Sequence, residues 1–270
     1  MNLNVAIGQF YPVESKIHKL DPRSKLMGTL AFIILLFIVN NLWGYVLAGA
    51  GLALVIKLSN VPPKYMFKGL KGLMFIIAFT IILNVFFSPG ETVIFSLGFI
   101  EITKEGLLMA LKMGIRLIML VVGSSILTLT TSPIELTDGI ERGLSPFKKI
   151  GLPAHEIAMM MTIALRFIPN LMEEVDRIMK AQIARGADFD TGGIKEKAKS
   201  LIPLLVPLFV SAFHRADDLA MAMEARCYRG DVNRSKMKEM KYTAADKVFL
   251  ASFFIFSVLL VLTRMLPPLF

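Results

Sequence analysis

The sequence predicts an all-α protein: a polytopic helical membrane protein with about five transmembrane helices and two long helices on the cytoplasmic side. Three observations support this fold class. Hydrophobic residues make up 55% of the 270 residues and charged residues only 19%, which is too apolar for a typical soluble domain. The apolar residues cluster into runs long enough to cross a bilayer. The connections between these runs differ in charge, as expected for a chain that crosses a membrane repeatedly.

The N-terminal region, residues 1–25, is polar and carries four cations: Lys16, Lys19, Arg23 and Lys25. It lacks the basic n-region, apolar h-region and small-residue cleavage site of a signal peptide, so we expect no removable leader. The first predicted span follows at about Leu26–Val39, and a very short Asn-Asn turn leads to a second at about Leu42–Leu58. Four successive small residues in the second span, Ala48–Gly51, allow either close approach of another helix or ordinary internal packing.

Three further spans complete the predicted set: about Gly69–Phe87, Gly106–Thr130 and Asp246–Leu266. The connection before the third span, Lys57–Lys71, contains four lysines and no acid, whereas the loop Ser88–Glu105 contains three acids and one lysine. Because Lys and Arg accumulate on the cytoplasmic side, we expect the N-terminus and the lysine-rich connection inside and the acidic loop outside. The segment Thr131–Lys247 is then cytoplasmic, and the C-terminus lies outside.

The predicted organisation has three parts: residues 1–130 with about four spans, a cytoplasmic region at 131–245, and a last span within 246–270. The formal net charge of +9 does not require a nucleic-acid partner, because the cations sit where the charge rule for membrane proteins places them. We expect the lipid bilayer as a partner and no nucleic acid. The single cysteine, Cys227, excludes an intrachain disulfide.

The fourth span contains two cations, Lys112 and Arg116, one helical turn apart. An ionisable side chain within a span is a functional candidate by default. In the alternative, Lys112 extends its ammonium outward along the span and Arg116 pairs with a carbonyl or an acid inside the bundle, and we favour this alternative. One charged pair does not form an ion pathway.

The cytoplasmic region begins with a helix start at Ser132–Glu135, where a capping serine, a proline and a glutamate form a capping box. This short helix is predicted to end near Gly143. A long helix then extends from about Ala154 to Ala184, a length on the order of 45 Å. Its second half separates apolar from charged residues, so we expect it to lie along a membrane or protein surface rather than to span.

A second long helix is predicted to start near Lys197. Its apolar stretch Leu201–Phe213 contains two prolines and reaches only about 20 Å, so we expect it to be buried among helices or interfacial. Both long helices finish with an Ala-Arg pair, at Ala184-Arg185 and Ala225-Arg226, with an aspartate nine residues before each arginine. Such a pair, tied to the membrane at one end and polar at the other, suits the transfer of motion.

The sequence shows no catalytic constellation. It contains no phosphate-binding Gly-x-x-x-x-Gly-Lys-Ser/Thr loop and no Gly-x-Ser-x-Gly elbow, and its three histidines have no metal-ligand spacing. Paired acids such as Glu173-Glu174 fit solvated helix faces better than catalysis. We therefore expect neither an active site nor a metal or nucleotide site in this chain. The methionines of the two long helices suit either an adaptable partner surface or the filling of a helical core.

Three motifs resemble those of a known family. Leu20–Leu26 reads Leu-Asp-Pro-Arg-Ser-Lys-Leu and is similar to the Leu-Asp-Pro-Arg-Thr-Lys-Leu motif of the transmembrane T component of energy-coupling-factor (ECF) transporters. Ala184–Gly186 matches that family's first Ala-Arg-Gly signature, and Ala222–Arg226 matches the run into the second. The resemblance covers nearly the whole chain, and although each motif alone is weak, the three in this order are specific.

The resemblance implies a role and a set of partners. ECF transporters import vitamins and trace nutrients into bacteria and archaea. Two cytoplasmic ABC-type ATPase subunits bind ATP and Mg²⁺ and power them, and one or more small membrane S components capture the substrate. The T component joins these subunits and transmits the ATPases' motion through its coupling helices. This chain would then be a multi-pass protein of the cell membrane, not itself catalytic and without a cofactor of its own.

The resemblance also implies the sites. ATPase docking falls to the two Ala-Arg tips, which comprise Ala184, Arg185, Gly186, Ala225, Arg226 and Cys227. Contact with the S component is expected from the apolar halves of the coupling helices, through Met159, Met160, Leu204, Leu205, Leu208 and Phe209. Cys227 departs from the family, which usually has glycine there. Because glycine favours a left-handed helix terminus, the stop could instead come three residues later, at Gly230.

Two other function classes compete with this interpretation. A secondary transporter, or another polytopic membrane protein with its own substrate site, would need a central polar site flanked by broken helices. The spans offer only Asn84, Lys112 and Arg116 for it. An embedded enzyme is disfavoured by the missing catalytic constellations. Purification distinguishes these classes, because a T component should co-purify with ATPases and bind no substrate alone.

Overall fold

The computed structural model describes residues 10–88, 90, 92–97, 100–146, 151, 153–187, 189, 193–230 and 242–265. The described elements are α1 (Pro22–Ile38), α2 (Leu42–Ser59), α3 (Pro63–Phe87), β1 (Val93–Leu97), β2 (Ile100–Thr103), α4 (Lys104–Thr130), α5 (Pro133–Leu144), α6 (Ala154–Ala184), α7 (Ile194–Ala225) and α8 (Ala244–Leu262). The predicted all-α fold class is confirmed. The described chain divides into two compact units: residues 10–140 with 242–265, called the bundle, and residues 141–230, called the helix pair.

Four helices of the bundle are long and apolar enough to cross a membrane: Leu42–Ser59, Pro63–Phe87, Lys104–Thr130 and Ala244–Met265. Large apolar side chains cover their outer surfaces. On α3, for example, Phe75 and Phe87 are 80% and 79% exposed. Such exposure would be unfavourable in water, whereas in a bilayer it places the rings against lipid tails. The bundle therefore has the surface of a membrane protein.

The fifth predicted span is α1, whose 17 residues correspond to about 25 Å, close to the lower limit for crossing a bilayer. It begins at Pro22 rather than Leu26, because Asp21 caps it: the Asp21 carboxylate accepts a hydrogen bond from the Arg23 backbone N–H at 2.9 Å. One face of α1 is apolar and exposed, and it consists of Met27, Leu30, Ile34 and Phe37. This face suits lipid in the same way as the other spans.

The core of the bundle joins α1, α2 and α8, and its buried members include Phe32, Leu36, Tyr45 and Leu260. The small-residue stretch Ala48–Gly51 contributes to this packing. Ala48 is fully buried, and a Cβ atom added at Gly51 would lie 2.7 Å from the Phe256 ring of α8. Of the two interpretations of this stretch, the structure therefore supports internal packing.

The segment Ser88–Glu105, predicted only as a loop, contains an antiparallel β-hairpin. Val93 pairs with Thr103, and the register shifts after Val93 before Leu97 pairs with Ile100. Isoleucine recurs at alternate positions in β2, at Ile100 and Ile102, and this is the signal that the sequence offered for a strand. The hairpin leads directly into α4, because the Thr103 hydroxyl accepts a hydrogen bond from the Gly106 N–H at 3.1 Å and so caps the helix.

The predicted start of α5 is confirmed by its capping box. The Glu135 N–H donates to the Ser132 hydroxyl at 3.2 Å, and the Ser132 N–H donates to the Glu135 carboxylate at 3.4 Å. In the helix pair, α6 has the predicted bounds. The second long helix, α7, begins at Ile194, three residues before the predicted Lys197.

α6 and α7 run antiparallel to each other. Arg215 donates to the Glu174 carboxylate at 2.7 Å, and the later Tyr228 donates to the earlier Met159 at 3.0 Å. The apolar first half of each helix therefore lies beside the charged second half of the other. The expectation of one membrane-tied end and one polar end for the pair is wrong, because that arrangement requires the two apolar halves to lie side by side.

Candidate functional site

α6 ends in a Schellman motif that presents Arg185. The Ala187 N–H donates to the Gln182 carbonyl at 3.0 Å, and the Gly186 N–H donates to the Ile183 carbonyl at 2.9 Å. Gly186 adopts the left-handed conformation that this motif requires, with φ of 87°. These bonds satisfy carbonyls that a helix end otherwise leaves without partners. Arg185 is the C-cap residue, and it is exposed.

α7 ends in the same motif with a cysteine in place of the glycine. The Tyr228 N–H donates to the Met223 carbonyl at 3.0 Å, and the Cys227 N–H donates to the Glu224 carbonyl at 2.8 Å. Cys227 takes the left-handed position, with φ of 54°. The suggestion that the helix stop would move to Gly230 is therefore wrong, because the hydrogen-bonded turn forms around the cysteine itself.

The two tips, Ala184–Gly186 and Ala225–Cys227, thus share one hydrogen-bond pattern. Each arginine holds the C-cap position, and both arginines are exposed. A cation at the C-terminus of a helix stabilises the helix by about 0.3–1 kcal/mol, through its attraction to the helix dipole. Because the side chains are exposed, the rigid fork of five N–H donors on each guanidinium is accessible to a partner.

The tips lie at opposite ends of the helix pair. In the antiparallel register fixed by the Glu174–Arg215 and Met159–Tyr228 contacts, Arg226 lies beside the first half of α6. Arg185 lies at the far end of α6, so roughly 23 residues, or about 35 Å of helix, separate the two arginines. The helix pair therefore carries one exposed arginine at each of its two ends.

The residues predicted to contact the S component fall into two groups. Met159 and Met160 are near the start of α6, whereas Leu204, Leu205, Leu208 and Phe209 are on the first half of α7, toward the other end of the pair. Met160, Leu205 and Phe209 are 59%, 46% and 61% exposed, while Leu204 is buried at 7%. The structure does not bring the six together into one patch, and the contact stays a prediction.

An open cleft of about 530 Å³ lies between α6 and α7, lined by Phe167, Asn170, Glu173, Glu174, Arg177, Arg215, Asp218 and Leu219. Side chains of both charge signs line it, and Glu174 and Arg215 pair across it. Among the described residues, no group of three or more His, Cys, Asp or Glu side chains is arranged to hold a metal ion. The Glu174–Arg215 ion pair therefore joins the two helices across the cleft.

The N-terminal motif, Leu20–Leu26, forms a structural junction that sequence reasoning did not anticipate. The Asp21 carboxylate accepts two hydrogen bonds from the Arg23 guanidinium, at 3.0 and 2.9 Å, and this guanidinium lies 4.2 Å from the centroid of the Tyr242 ring. The Asp21 N–H donates at 2.7 Å to the Asp246 carboxylate, whose residue is 1% exposed. The starts of α1 and α8 are thereby joined.

Lys25 extends this junction to the end of α4. Its ammonium is buried and donates to the carbonyls of His18 and Thr130 at 3.1 and 3.0 Å. Burial lowers the pKa of His18, and the charge of Lys25 lowers it further, although the hydrogen bond to the Tyr11 carbonyl acts in the opposite direction. The polar residues of the motif therefore hold helix ends together within the bundle.

Arg116 of α4 also binds a helix end. Its guanidinium donates to the Val39 carbonyl at 2.9 Å and to the Asn40 side-chain oxygen at 3.3 Å. Val39 is the C-cap of α1, so the arginine satisfies a carbonyl at a helix terminus. The favoured alternative for Arg116, pairing with a carbonyl inside the bundle, is confirmed. Lys112 is half-buried on the same helix.

A cavity of about 250 Å³ lies among α1, α2, α4 and α8. Its lining is mostly apolar, and its polar members are Lys25, Thr29, Thr130 and Ser252. Lys25 is already engaged with two carbonyls. These residues do not form the central polar site that secondary transport requires.

Comparisons with known proteins agree with the motifs. The family model described as "Cobalt transport protein" matches residues 13–240. A protein of Thermosediminibacter oceani called "Energy-coupling factor transporter transmembrane protein EcfT" is 57% identical over 242 residues, covering 90% of this chain and 91% of the relative. Proteins of the same name from Ruminiclostridium cellulolyticum and Bacillus subtilis are 54% and 44% identical, covering 90% and 97% of this chain and 91% and 98% of those relatives.

Proposed function

The chain belongs to the family of transmembrane T components of ECF transporters, and on this premise we propose that it joins two cytoplasmic ATPase subunits to a membrane S component. In this role it transmits the movement of the ATPases to the subunit that captures the substrate. The transported substrate is a vitamin or another micronutrient. ATP and Mg²⁺ are bound by the ATPases and not by this chain.

The observation that carries the proposal is the pair of identically built tips at opposite ends of the helix pair. Arg185 and Arg226 each follow an alanine and precede a left-handed residue, and both are exposed. A guanidinium offers a planar, permanently charged fork that matches carboxylates in a groove, and the small alanine beside it permits close approach. Two tips that are far apart suit two separate ATPase subunits, with one arginine docked on each.

The orientation follows from the charge distribution. We propose that the N-terminus and the helix pair are cytoplasmic and that the β1–β2 hairpin and the C-terminus lie outside, because the lysine-rich and acidic connections alternate. The S component then contacts exposed apolar side chains of the helix pair, among them Leu205 and Phe209 of α7. Movement of the tips would pass along α6 and α7 to this contact.

Substitution of the arginines tests the docking. Arg185→Ala and Arg226→Ala should each weaken ATPase association by about 2–5 kcal/mol, because the partner's carboxylate remains buried without its counter-charge. Lysine at either position should restore the charge but not the planar fork of N–H donors, and so it should restore ATPase association only in part. Arg229→Ala is the matched control, since Arg229 is exposed nearby but is outside the cap.

Affinity purification of the complex and transport into vesicles are the two measurements. The expected result is that the double alanine variant accumulates in the membrane but retains little ATPase and transports little substrate, while Arg229→Ala behaves as the parent. Normal assembly and transport by the double variant would overturn the docking proposal. In that case the arginines serve only the helix dipole, for which their loss costs about 0.3–1 kcal/mol.

A further inference from the structure

The two tips differ at the residue that follows the left-handed position. After Gly186 this residue is Ala187, and after Cys227 it is Tyr228. A methyl group cannot form a hydrogen bond, whereas a tyrosine carries a hydroxyl at the far end of a rigid ring. The backbone of the two tips is therefore equivalent, but the side chains that could anchor them are not.

Tyr228 crosses to the first half of α6. Its hydroxyl donates to the Met159 sulfur at 3.0 Å and lies 3.5 Å from Nε2 of His155. Met159 and His155 are four residues apart and so lie on one face of α6. The Schellman turn at Cys227 reverses the chain and so brings this ring back to α6.

His155 continues the contact to α5. Its Nδ1 lies 3.0 Å from Oε1 of Glu141, and the two side chains are only 11% and 15% exposed. A carboxylate accepts hydrogen bonds, so Nδ1 donates to Glu141, and Nε2 lies 3.5 Å from the tyrosine oxygen. Glu141, His155 and Tyr228 therefore form one connected set that joins the end of α5, the start of α6 and the tip of α7.

We propose that Tyr228 is a positioning residue that braces the Arg226 tip against α6 through Met159 and His155, so that the two docking tips are mechanically unequal. This inference rests on the proposed docking function. A force applied at Arg226 is carried across to the start of α6 and to Glu141, because Tyr228 is two residues from the arginine and is held at its far end. Among the described residues, a force applied at Arg185 has no such side-chain hydrogen bond through Ala187, because a methyl group forms none.

A spin label beside Tyr228 tests the brace in the assembled transporter. Arg229 is exposed and lies outside the docking tip, so a nitroxide can be attached at Arg229→Cys in a Cys227→Gly background. Tyr228→Phe keeps the ring and removes the hydroxyl. The expected result is a clear increase in the mobility of the label. The control is a label at Ile183→Cys in a Cys227→Gly background, on the other tip, whose mobility Tyr228→Phe should not change.

A double-mutant cycle supplies the functional test. Tyr228→Phe and Met159→Leu should each lower transport per ATP hydrolysed, by about 2- to 30-fold, while co-purification of the ATPases stays unchanged. The double variant should be no worse than the stronger single variant, because both substitutions break the same contact. His155→Gln is a third variant, and it alters the second side chain that the Tyr228 hydroxyl approaches.

The outcomes separate the brace from the docking proposal. If Tyr228→Phe leaves both label mobility and coupling unchanged while Arg226→Ala still abolishes ATPase association, the brace is refuted and docking stands. If Tyr228→Phe frees the label but neither arginine variant affects association, the contact exists and the docking role is wrong. Additive losses in the double variant would also refute a brace that works through Met159.

Discussion

Replacement of Cys227 by glycine should stabilise the end of α7. Cys227 has φ of 54°, a conformation that costs a residue with a Cβ atom about 1–2 kcal/mol relative to glycine. Glycine also makes the unfolded chain more flexible, which offsets about 0.4–1 kcal/mol of this gain. The side chain is exposed, so its removal loses little packing. The net gain is therefore about 0.5–1 kcal/mol.

Amide hydrogen exchange measures this gain locally. The Tyr228 N–H closes the turn by donating to the Met223 carbonyl at 3.0 Å, so its protection reports the stability of the tip. A gain of about 0.5–1 kcal/mol corresponds to exchange about two- to fivefold slower in Cys227→Gly, observed by mass spectrometry of the α7 end.

The other tip provides the reverse experiment. Gly186 has φ of 87°, and a Cβ atom added there would meet nothing within 4 Å. Gly186→Ala therefore carries the conformational cost without a steric clash, and exchange at the Ala187 N–H should become about two- to fivefold faster. Unchanged or faster exchange in Cys227→Gly, with no effect of Gly186→Ala, would refute the claim that the left-handed position limits the stability of the tips.

Three further predictions concern the rest of the chain. Asp246→Ala should destabilise the bundle by about 2–3 kcal/mol in detergent unfolding, because the buried carboxylate accepts from Asp21 and Thr243, and Asp246→Asn should cost less. The pKa of His18 is lower in the folded protein than its ordinary value of 6.5, so its contribution to stability is complete above pH 6.5 and is lost as the pH falls through the folded-state pKa. Acidification should therefore lower the thermal midpoint of the parent protein more than that of His18→Gln. A cysteine at position 195 should resist labelling from outside intact cells, and labelling there would contradict the orientation.

Local signals allowed several helix ends to be predicted from the sequence. The α5 start was predicted correctly because Ser132 and Glu135 interact within one turn. The start of α6 at Ala154 follows a proline, and its end precedes a glycine, so both bounds depend on neighbouring residues. The same reasoning failed at the end of α7, where it placed the stop at Gly230. A cysteine in the left-handed conformation is uncommon, and here the backbone hydrogen bonds of the turn offset its conformational cost.

Contacts between residues that are far apart along the chain could not be predicted from the sequence. The pattern of apolar and charged residues predicts amphipathic helices but not the direction in which two of them pack, so the antiparallel register of α6 and α7 was missed. Asp246 had a visible local role, since Thr243 three residues earlier completes a capping box. Its second role, accepting the Asp21 N–H, joins residues 225 positions apart and has no signal in a single sequence.

That long separation has a consequence for biosynthesis. Asp21 is made before the Asp246 carboxylate that it binds, and residues 22–245 are made between the two. The junction between the starts of α1 and α8 therefore closes only after the helix pair has been made and α8 has been added. A chain that ends before α8 therefore lacks the Asp246 carboxylate that joins the two helix starts. The junction thus connects late synthesis of the last span to maturation of the first.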